Sequence, residues 1–207
     1  MRLSITLLPG LVFGLVLAGC DRQKAEAPQG EAATPAVAES AGKAVPASYP
    51  TGRLDRSHAG TEAPDIAFED PSGEPARMAD FRGRPVLVNL WATWCVPCRE
   101  EMPALNNLQK ALGGDDFEVV AINIDTGSDE KPKAFLDETG VNDLAYYRDS
   151  SMGVFNALKK EGLAFGLPVT LLMDDKGCLI SSMNGPAAWD SEDAMALISA
   201  AKGGPES

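Results

Sequence analysis

The stretch WATWCVPCRE, residues 91–100, decides the fold, because it sets Cys95 and Cys98 between a strand and a helix. Residues 85–92, PVLVNLWA, are an almost unbroken apolar run rich in β-branched side chains, which predicts a central strand covered on both faces. Apolar residues then recur at helical spacing over residues 100–112, and glycines follow, which predicts a helix ending there. The two cysteines are therefore expected at a strand-to-helix turn.

A cysteine pair of this spacing serves zinc binding, structural crosslinking or electron exchange. A zinc site needs three or four ligands, normally with a second Cys or His pair, and with one histidine, His58, and a solitary Cys178 no second pair is available. A structural disulfide across two intervening residues would close a very small loop and remove little entropy from the unfolded chain. Neither zinc binding nor crosslinking is favoured.

The predicted position of the cysteine pair at a helix N-terminus favours electron exchange. A cysteine at a helix N-terminus lies among unpaired N–H groups at the positive end of the helix dipole, which stabilise its thiolate. Cys95, in the turn, is expected to attack a partner's disulfide, and Cys98, in the first helical turn, to resolve the mixed disulfide. Pro97 lacks an N–H and suits this first turn. The sequence therefore predicts a redox-active dithiol.

Strands and helices alternate through the rest of the domain. Predicted strands are a hairpin over residues 66–78, a buried strand at 117–125, a strand at 144–147 and two strands joined by a tight turn over 169–185. Predicted helices cover residues 129–139, 152–160 and 194–201. This alternation predicts an α/β fold with a central mixed sheet flanked by helices, because the final hairpin adds antiparallel strands.

The N-terminal residues 1–19 predict a lipoprotein signal peptide: Arg2, then an apolar run that is short for a bilayer span of about 20 residues. The sequence LAGC, ending at Cys20, resembles the bacterial lipobox, whose cysteine is lipidated and becomes the mature N-terminus. An uncleaved anchor and an ordinary cleaved signal stay open as alternatives. All three place the remaining chain outside the cytoplasm, where disulfides persist.

Composition divides the mature chain in two. Residues 20–61 are rich in Ala, Glu, Pro, Gly and Ser, which predicts a disordered tether, and residues 62–207 are predicted to form the folded domain. The formal net charge of −12 leaves no basic surface for phosphates, so nucleic acid is not expected as a partner.

Residues 86–108, VLVNLWATWCVPCREEMPALNNL, resemble the thioredoxin superfamily, and within it the TlpA and ResA group of membrane-anchored periplasmic thiol-disulfide reductases. The features that carry the resemblance are Trp94 before the cysteines, Pro103 five residues after Cys98, and Pro168 in GLPVT. The resemblance implies a thioredoxin-like fold with an N-terminal hairpin extension and a central insertion.

The resemblance also implies a substrate-binding surface. Pro168 matches the cis-proline that lies beside the cysteine pair, and the backbone of Leu167 is implied to pair with the partner's chain. Trp94, Val96 and Pro97 are implied to complete the surface around the cysteines.

Proton transfer is expected to differ from that of thioredoxin itself, which has a buried aspartate six residues before its first cysteine. This chain has Asn89 there, which does not ionise between about pH 2 and 12. Glu101, three residues after Cys98, matches the active-site glutamate of ResA-like proteins and is expected to accept the proton of Cys98. An exposed glutamate that only favours the helix dipole stays open as the alternative.

The resemblance favours a reductase that needs no cofactor or metal and acts as a monomer at the periplasmic face of the bacterial inner membrane. Its implied electron donor is a membrane protein of the DsbD or CcdA type, and its implied substrates are disulfide-containing copper-chaperone or copper-site proteins of cytochrome oxidase assembly. Residues 185–198, GPAAWDSEDAMALI, favour this TlpA branch over ResA- or CcmG-like cytochrome c maturation. A Cu(I) metallochaperone using Cys95 and Cys98 is the alternative from another class.

In TlpA a cysteine comparable to Cys178 is bridged to one in the N-terminal extension, and Cys20 is the only candidate partner here. A lipidated cysteine carries a thioether and cannot also form a disulfide. We therefore predict a lipid on Cys20 and a free, poorly reactive thiol at Cys178.

Overall fold

The computed structural model describes residues 48–49 and 52–203. The predicted signal peptide, Cys20 and most of the predicted tether lie outside these residues. The strands are β1 (Ser48–Tyr49), β2 (Gly52–Arg53), β3 (Ala67–Glu69), β4 (Pro75–Arg77), β5 (Val86–Trp91), β6 (Glu118–Asn123), β7 (Tyr147–Arg148), β8 (Val169–Met173) and β9 (Leu179–Asn184). The α-helices are α1 (Val96–Leu112), α2 (Glu130–Thr139), α3 (Gly153–Lys160) and α4 (Glu192–Lys202). In this part of the chain no helix is both long and apolar enough to cross a membrane.

Seven strands form one sheet in the order β4-β3-β7-β6-β5-β8-β9. Strands β5, β6 and β7 run parallel, whereas β8 is antiparallel to β5 and β9 is antiparallel to β8. The predicted mixed α/β sheet and its N-terminal hairpin, β3 and β4, are therefore confirmed. The strand predicted at 144–147 overlaps the observed one only at Tyr147: the structure has a two-residue strand, Tyr147 and Arg148, which pairs with β6.

Strand β5 lies near the centre of the sheet, and all six of its residues are buried, as its apolar sequence predicted. Its end at Trp91 leads into the turn that carries the two cysteines, and α1 begins at Val96. The helix starts before residue 100 because Cys95 caps it and proline is tolerated in the first turn. It continues through Pro103 and ends at Leu112, with Gly113 as its C-cap residue.

The ordered domain extends further towards the N-terminus than composition indicated. Asp55 and Ser182 of β9 exchange backbone hydrogen bonds of 2.7 and 2.8 Å, and the N–H of Gly60 donates to the carbonyl of Leu179 at 2.8 Å. Leu54 is buried against the core. Backbone pairing with a sheet edge needs little apolar sequence, which explains why composition did not reveal it.

Cys178, at the start of β9, is disulfide-bonded, so the prediction of a free thiol is wrong. Its partner sulfur lies outside the described residues, because the other two cysteines among them bond each other. The backbone around Cys178 pairs with the first residues of the domain: Glu62 forms an isolated β-bridge with Cys178, and the N–H of Ala63 donates to the carbonyl of Gly177 at 3.0 Å. Residues 62 and 63 therefore lie directly beside Cys178.

Candidate active site

Cys95 and Cys98 are joined by a disulfide with an S–S distance of 2.02 Å at the N-terminus of α1. Cys95 is the N-cap residue, and the backbone N–H of Cys98 donates to the Cys95 sulfur at 3.3 Å. This confirms the predicted strand-to-helix turn. The same N–H and the dipole of a 17-residue helix are positioned to stabilise a thiolate on Cys95 once the bond is reduced.

The two cysteine residues differ in exposure. Cys98 is completely buried, whereas Cys95 retains 6% of its surface. The residues on either side of Cys95, Trp94 and Val96, are exposed. A partner can therefore approach Cys95 from solvent, while Cys98 is reached only through its neighbour.

Pro168 follows a cis peptide bond from Leu167, as the resemblance implied. The next residue, Val169, pairs with Leu90 of β5, one residue before that strand ends. The antiparallel register therefore brings Pro168 to the edge of the sheet from which the cysteine turn leaves. The structure thus places the expected substrate-binding residues of both segments at the same edge.

Glu101 lies on α1 one turn beyond Cys98 and is only 3% exposed, so its alternative assignment as a surface glutamate is wrong. One carboxylate oxygen, Oε1, accepts a hydrogen bond from Asn89 Nδ2 at 2.8 Å. The other, Oε2, accepts from the backbone N–H of Ala187 and from Trp189 Nε1, each at 3.1 Å. Burial disfavours the charged form more than these donors favour it, which raises the pKa of Glu101 to about 7.

Asn89 occupies the position at which thioredoxin has its aspartate, in the buried centre of β5. Its Nδ2 donates to Glu101 and also, at 2.9 Å, to the hydroxyl of Thr170 on β8. The amide therefore orients the glutamate and links it to the neighbouring strand. In this site the ionisable group is Glu101 on α1, whereas β5 contributes the uncharged amide of Asn89.

A second buried carboxylate, Asp125, holds the turn between β5 and Cys95, and sequence reasoning missed it. Asp125 accepts from the backbone N–H of Thr93 at 2.8 Å and from the Thr93 hydroxyl at 2.6 Å. Asn123 Nδ2 donates to the same carboxylate at 2.7 Å. One signal could have revealed it. Strands β5 and β6 are parallel, so the residues that follow their carboxyl ends, Thr93 and Asp125, meet at the same edge of the sheet.

Sequence reasoning also missed the contact of Trp189 with Glu101 and the exposure of Phe165, which is 76% exposed. Trp189 was noted only as part of a sequence resemblance. Nothing in the local sequence indicates that it reaches a residue 88 positions earlier.

Two cysteines joined by a disulfide at a helix N-terminus, one of them fully buried and the other with exposed neighbours, lie beside a cis-proline and a carboxyl group of near-neutral pKa. This arrangement defines a thiol-disulfide oxidoreductase. Residues 58–198 match the model of the Redoxin family, and the chain belongs to that family.

Related proteins agree with this assignment. The chain is 37% identical over 122 residues to the thioredoxin-like protein YneN of Bacillus subtilis, covering 58% of this chain and 68% of YneN. It is 30% identical over 126 residues to the thiol-disulfide oxidoreductase ResA of the same organism, covering 61% and 67%. A solved structure assigned as the thiol:disulfide interchange protein DsbE of Chlorobium tepidum aligns with a TM-score of 0.57 and 28% identity, over 68% of this chain and 95% of that one. The enzyme is a thiol-disulfide oxidoreductase of the ResA/DsbE type.

Proposed function

We propose that the enzyme works as a reductase of disulfides in extracytoplasmic proteins, with Cys95 as the attacking residue. The observation that carries the proposal is the position of Cys95 at the N-cap of α1, where its sulfur already accepts the N–H of Cys98. A thiolate formed there is stabilised, and Cys95 keeps 6% of its surface exposed between the exposed residues Trp94 and Val96, whereas Cys98 is completely buried.

The reaction begins with the reduced dithiol. The Cys95 thiolate attacks one sulfur of the target disulfide, so a mixed disulfide forms and the target's other sulfur leaves as a thiolate. The Cys98 thiolate then attacks the Cys95 sulfur, which forms the intramolecular disulfide and releases the second target sulfur. Two electrons pass from the enzyme to the target, and both target thiolates take up protons.

Glu101 is proposed to accept the proton that Cys98 loses before this second attack. The two side chains are one helical turn apart on α1, and the carboxyl group has a pKa of about 7, so it exchanges protons near neutral pH. Asn89, Ala187 and Trp189 hold its two oxygens in place. Trp94, Val96, Pro97, Leu167 and Pro168 are proposed to bind the target polypeptide.

The proposed targets are copper-chaperone or copper-site proteins of cytochrome oxidase assembly, and the proposed electron donor is a membrane protein of the DsbD or CcdA type. The support is residues 185–198, which favour the TlpA branch and include the tryptophan that binds Glu101. Cytochrome c maturation is the alternative, which the similarity to ResA favours.

Trapping tests both the mechanism and the substrate. The variant Cys98→Ser is expected to retain its target as a mixed disulfide through Cys95, which mass spectrometry of the isolated adduct identifies. The matched variant Cys95→Ser is expected to trap nothing, because its remaining sulfur is buried. Adducts on Cys95→Ser but none on Cys98→Ser would reverse the two roles.

The proposed location is the periplasmic face of the inner membrane, supported by the apolar N-terminal segment. The lipid predicted on Cys20 conflicts with the disulfide at Cys178, because Cys20 is the one remaining cysteine of the sequence. One sulfur cannot carry both a thioether and a disulfide. A Cys20 that forms a disulfide is compatible both with an uncleaved anchor and with an ordinary cleaved signal, and we favour these two alternatives over the lipoprotein.

A further inference from the structure

Among the described residues, three large apolar side chains are mainly exposed: Trp94 at 60%, Val96 at 52% and Phe165 at 76%. The first two flank Cys95 directly. Phe165 has no part in the electron transfer described above. A group of large exposed apolar side chains is typical of an interaction surface, because it leaves in water an area that a partner can bury.

Phe165 lies in the segment that leads to the cis-proline, three residues before Pro168. Since Val169 pairs with Leu90, this segment meets the sheet at the edge where β5 ends and the cysteine turn begins. Phe165 therefore belongs to the same end of the molecule as Cys95.

Hydrogen bonds fix the backbone of this segment both before and after Phe165. The N–H of Phe165 donates to Asn184 Oδ1 at 2.7 Å, and Asn184 Nδ2 donates to the carbonyl of Leu163 at 3.0 Å. Leu163 and Ala164 are buried, and the carbonyl of Pro168 accepts the N–H of Gly185 at 2.9 Å. The phenylalanine ring thus projects into solvent from an ordered support, so binding it costs little backbone entropy.

We propose that Phe165 is a specificity-determining residue, which selects targets that have an apolar side chain a few residues from the reactive cysteine. The inference rests on the proposed attack by Cys95. A target sulfur bonded to Cys95 lies beside Trp94 and Val96, and its neighbouring residues extend across this end of the molecule at about 3.3 Å per residue. A charged side chain against Phe165 would lose hydration without gaining a partner, whereas an apolar one buries surface with the ring.

Two synthetic peptide disulfides test this selection. They have the same sequence except near the cysteine, where one carries leucine or phenylalanine and the other serine or aspartate. The rate at which the reduced full-length protein reduces each peptide is measured, together with its rate on hydroxyethyl disulfide. The small disulfide reports the reactivity of Cys95 and serves to normalise the peptide rates.

The wild-type protein is expected to prefer the apolar peptide by about tenfold, the size of effect that partial burial of one aromatic ring produces. Phe165→Ala is expected to bring the normalised ratio close to one, and Phe165→Tyr to preserve most of it. Thermal unfolding of both variants verifies that they are folded.

Equal wild-type rates on the two peptides, or an unchanged ratio in Phe165→Ala, would overturn the inference while leaving the reductase proposal in place. Failure of the proposed function is distinguishable, because the wild-type protein would then reduce neither the peptides nor hydroxyethyl disulfide. That result would remove the basis of both proposals.

Discussion

The indole Nε1 of Trp189 donates a 3.1 Å hydrogen bond to Oε2 of Glu101, although 88 residues separate them along the chain. The contact joins the loop before α4 to the first turns of the helix that carries the cysteines. It supplies one of the three donors that hold a buried carboxyl group whose pKa is raised to about 7.

Glu101→Gln is expected to slow the reduction of a protein disulfide by roughly 100-fold, at the lower end of general-base contributions. The wild-type rate should rise as pH increases through about 7, because the carboxylate accepts the proton of Cys98 only when it is ionised. The variant should lack this inflection. Asn89→Ala should slow the reduction less than Glu101→Gln does, after correction for its lower stability. Equally small decreases in rate in both variants would mean that Glu101 has only a structural role.

The same carboxyl group makes stability depend on pH. Its pKa is raised from 4.5 to about 7 on folding, so between these values the folded protein binds a proton that the unfolded chain releases. The stabilising contribution is therefore complete below about pH 4.5 and is lost as pH rises towards and through 7. Denaturant unfolding of wild type and Glu101→Gln should reveal a wild-type loss on the order of 3 kcal/mol across this window. Parallel curves for the two proteins would contradict a raised pKa.

Trp189→Phe preserves most of the buried ring but removes a donor to Glu101. Losing that donor destabilises the carboxylate relative to the carboxylic acid, so the pKa of Glu101 should rise further above its ordinary value. The inflection of the pH–rate profile should move to higher pH. Trp91→Phe, which alters a buried indole in β5, provides the control and should leave the inflection where it is in wild type.

Thr93→Val removes the hydroxyl that donates to Asp125 at 2.6 Å and leaves the backbone bond of 2.8 Å in place. The free energy of unfolding should fall by about 1 to 3 kcal/mol, because a buried carboxylate loses a charge-assisted hydrogen bond. Hydrogen exchange should become faster at the amides of Thr93 and Cys95. Exchange that quickens evenly across the domain would mean that Asp125 stabilises the fold without holding the turn specifically.

Cys178 provides the test of the N-terminal arrangement. Protein extracted from membranes, with thiols blocked before and after reduction, should carry no acyl mass and should yield a disulfide-linked peptide containing Cys178. Cys178→Ser is expected to lower the free energy of unfolding by about 2 to 4 kcal/mol, since it removes a disulfide. An acyl group on Cys20 together with a free Cys178 thiol would restore the lipoprotein interpretation.

The features that the sequence determined by itself are local ones. The spacing of Cys95 and Cys98, the proline between them and the apolar run before them specify a strand, a capped turn and a helix, because each depends on neighbours within a few residues. Helix periodicity and turn residues likewise predicted the sheet class and most element boundaries. The class of function could also be predicted from the sequence. The helix N-terminus that stabilises a cysteine thiolate is formed by residues within one turn of that cysteine.

The tertiary structure alone decided which groups surround that turn. Burial and hydrogen bonding depend on the path of the whole chain, so only the fold distinguishes a buried Glu101 from a surface one and brings Trp189 to its carboxylate. The hydrogen bonds between Asp125 and Thr93 join residues 32 positions apart, and Glu62 pairs with Cys178 across more than a hundred residues. These contacts join residues distant in sequence. They stabilise the protein only after the intervening chain has folded, because bringing the two ends together costs loop-closure entropy.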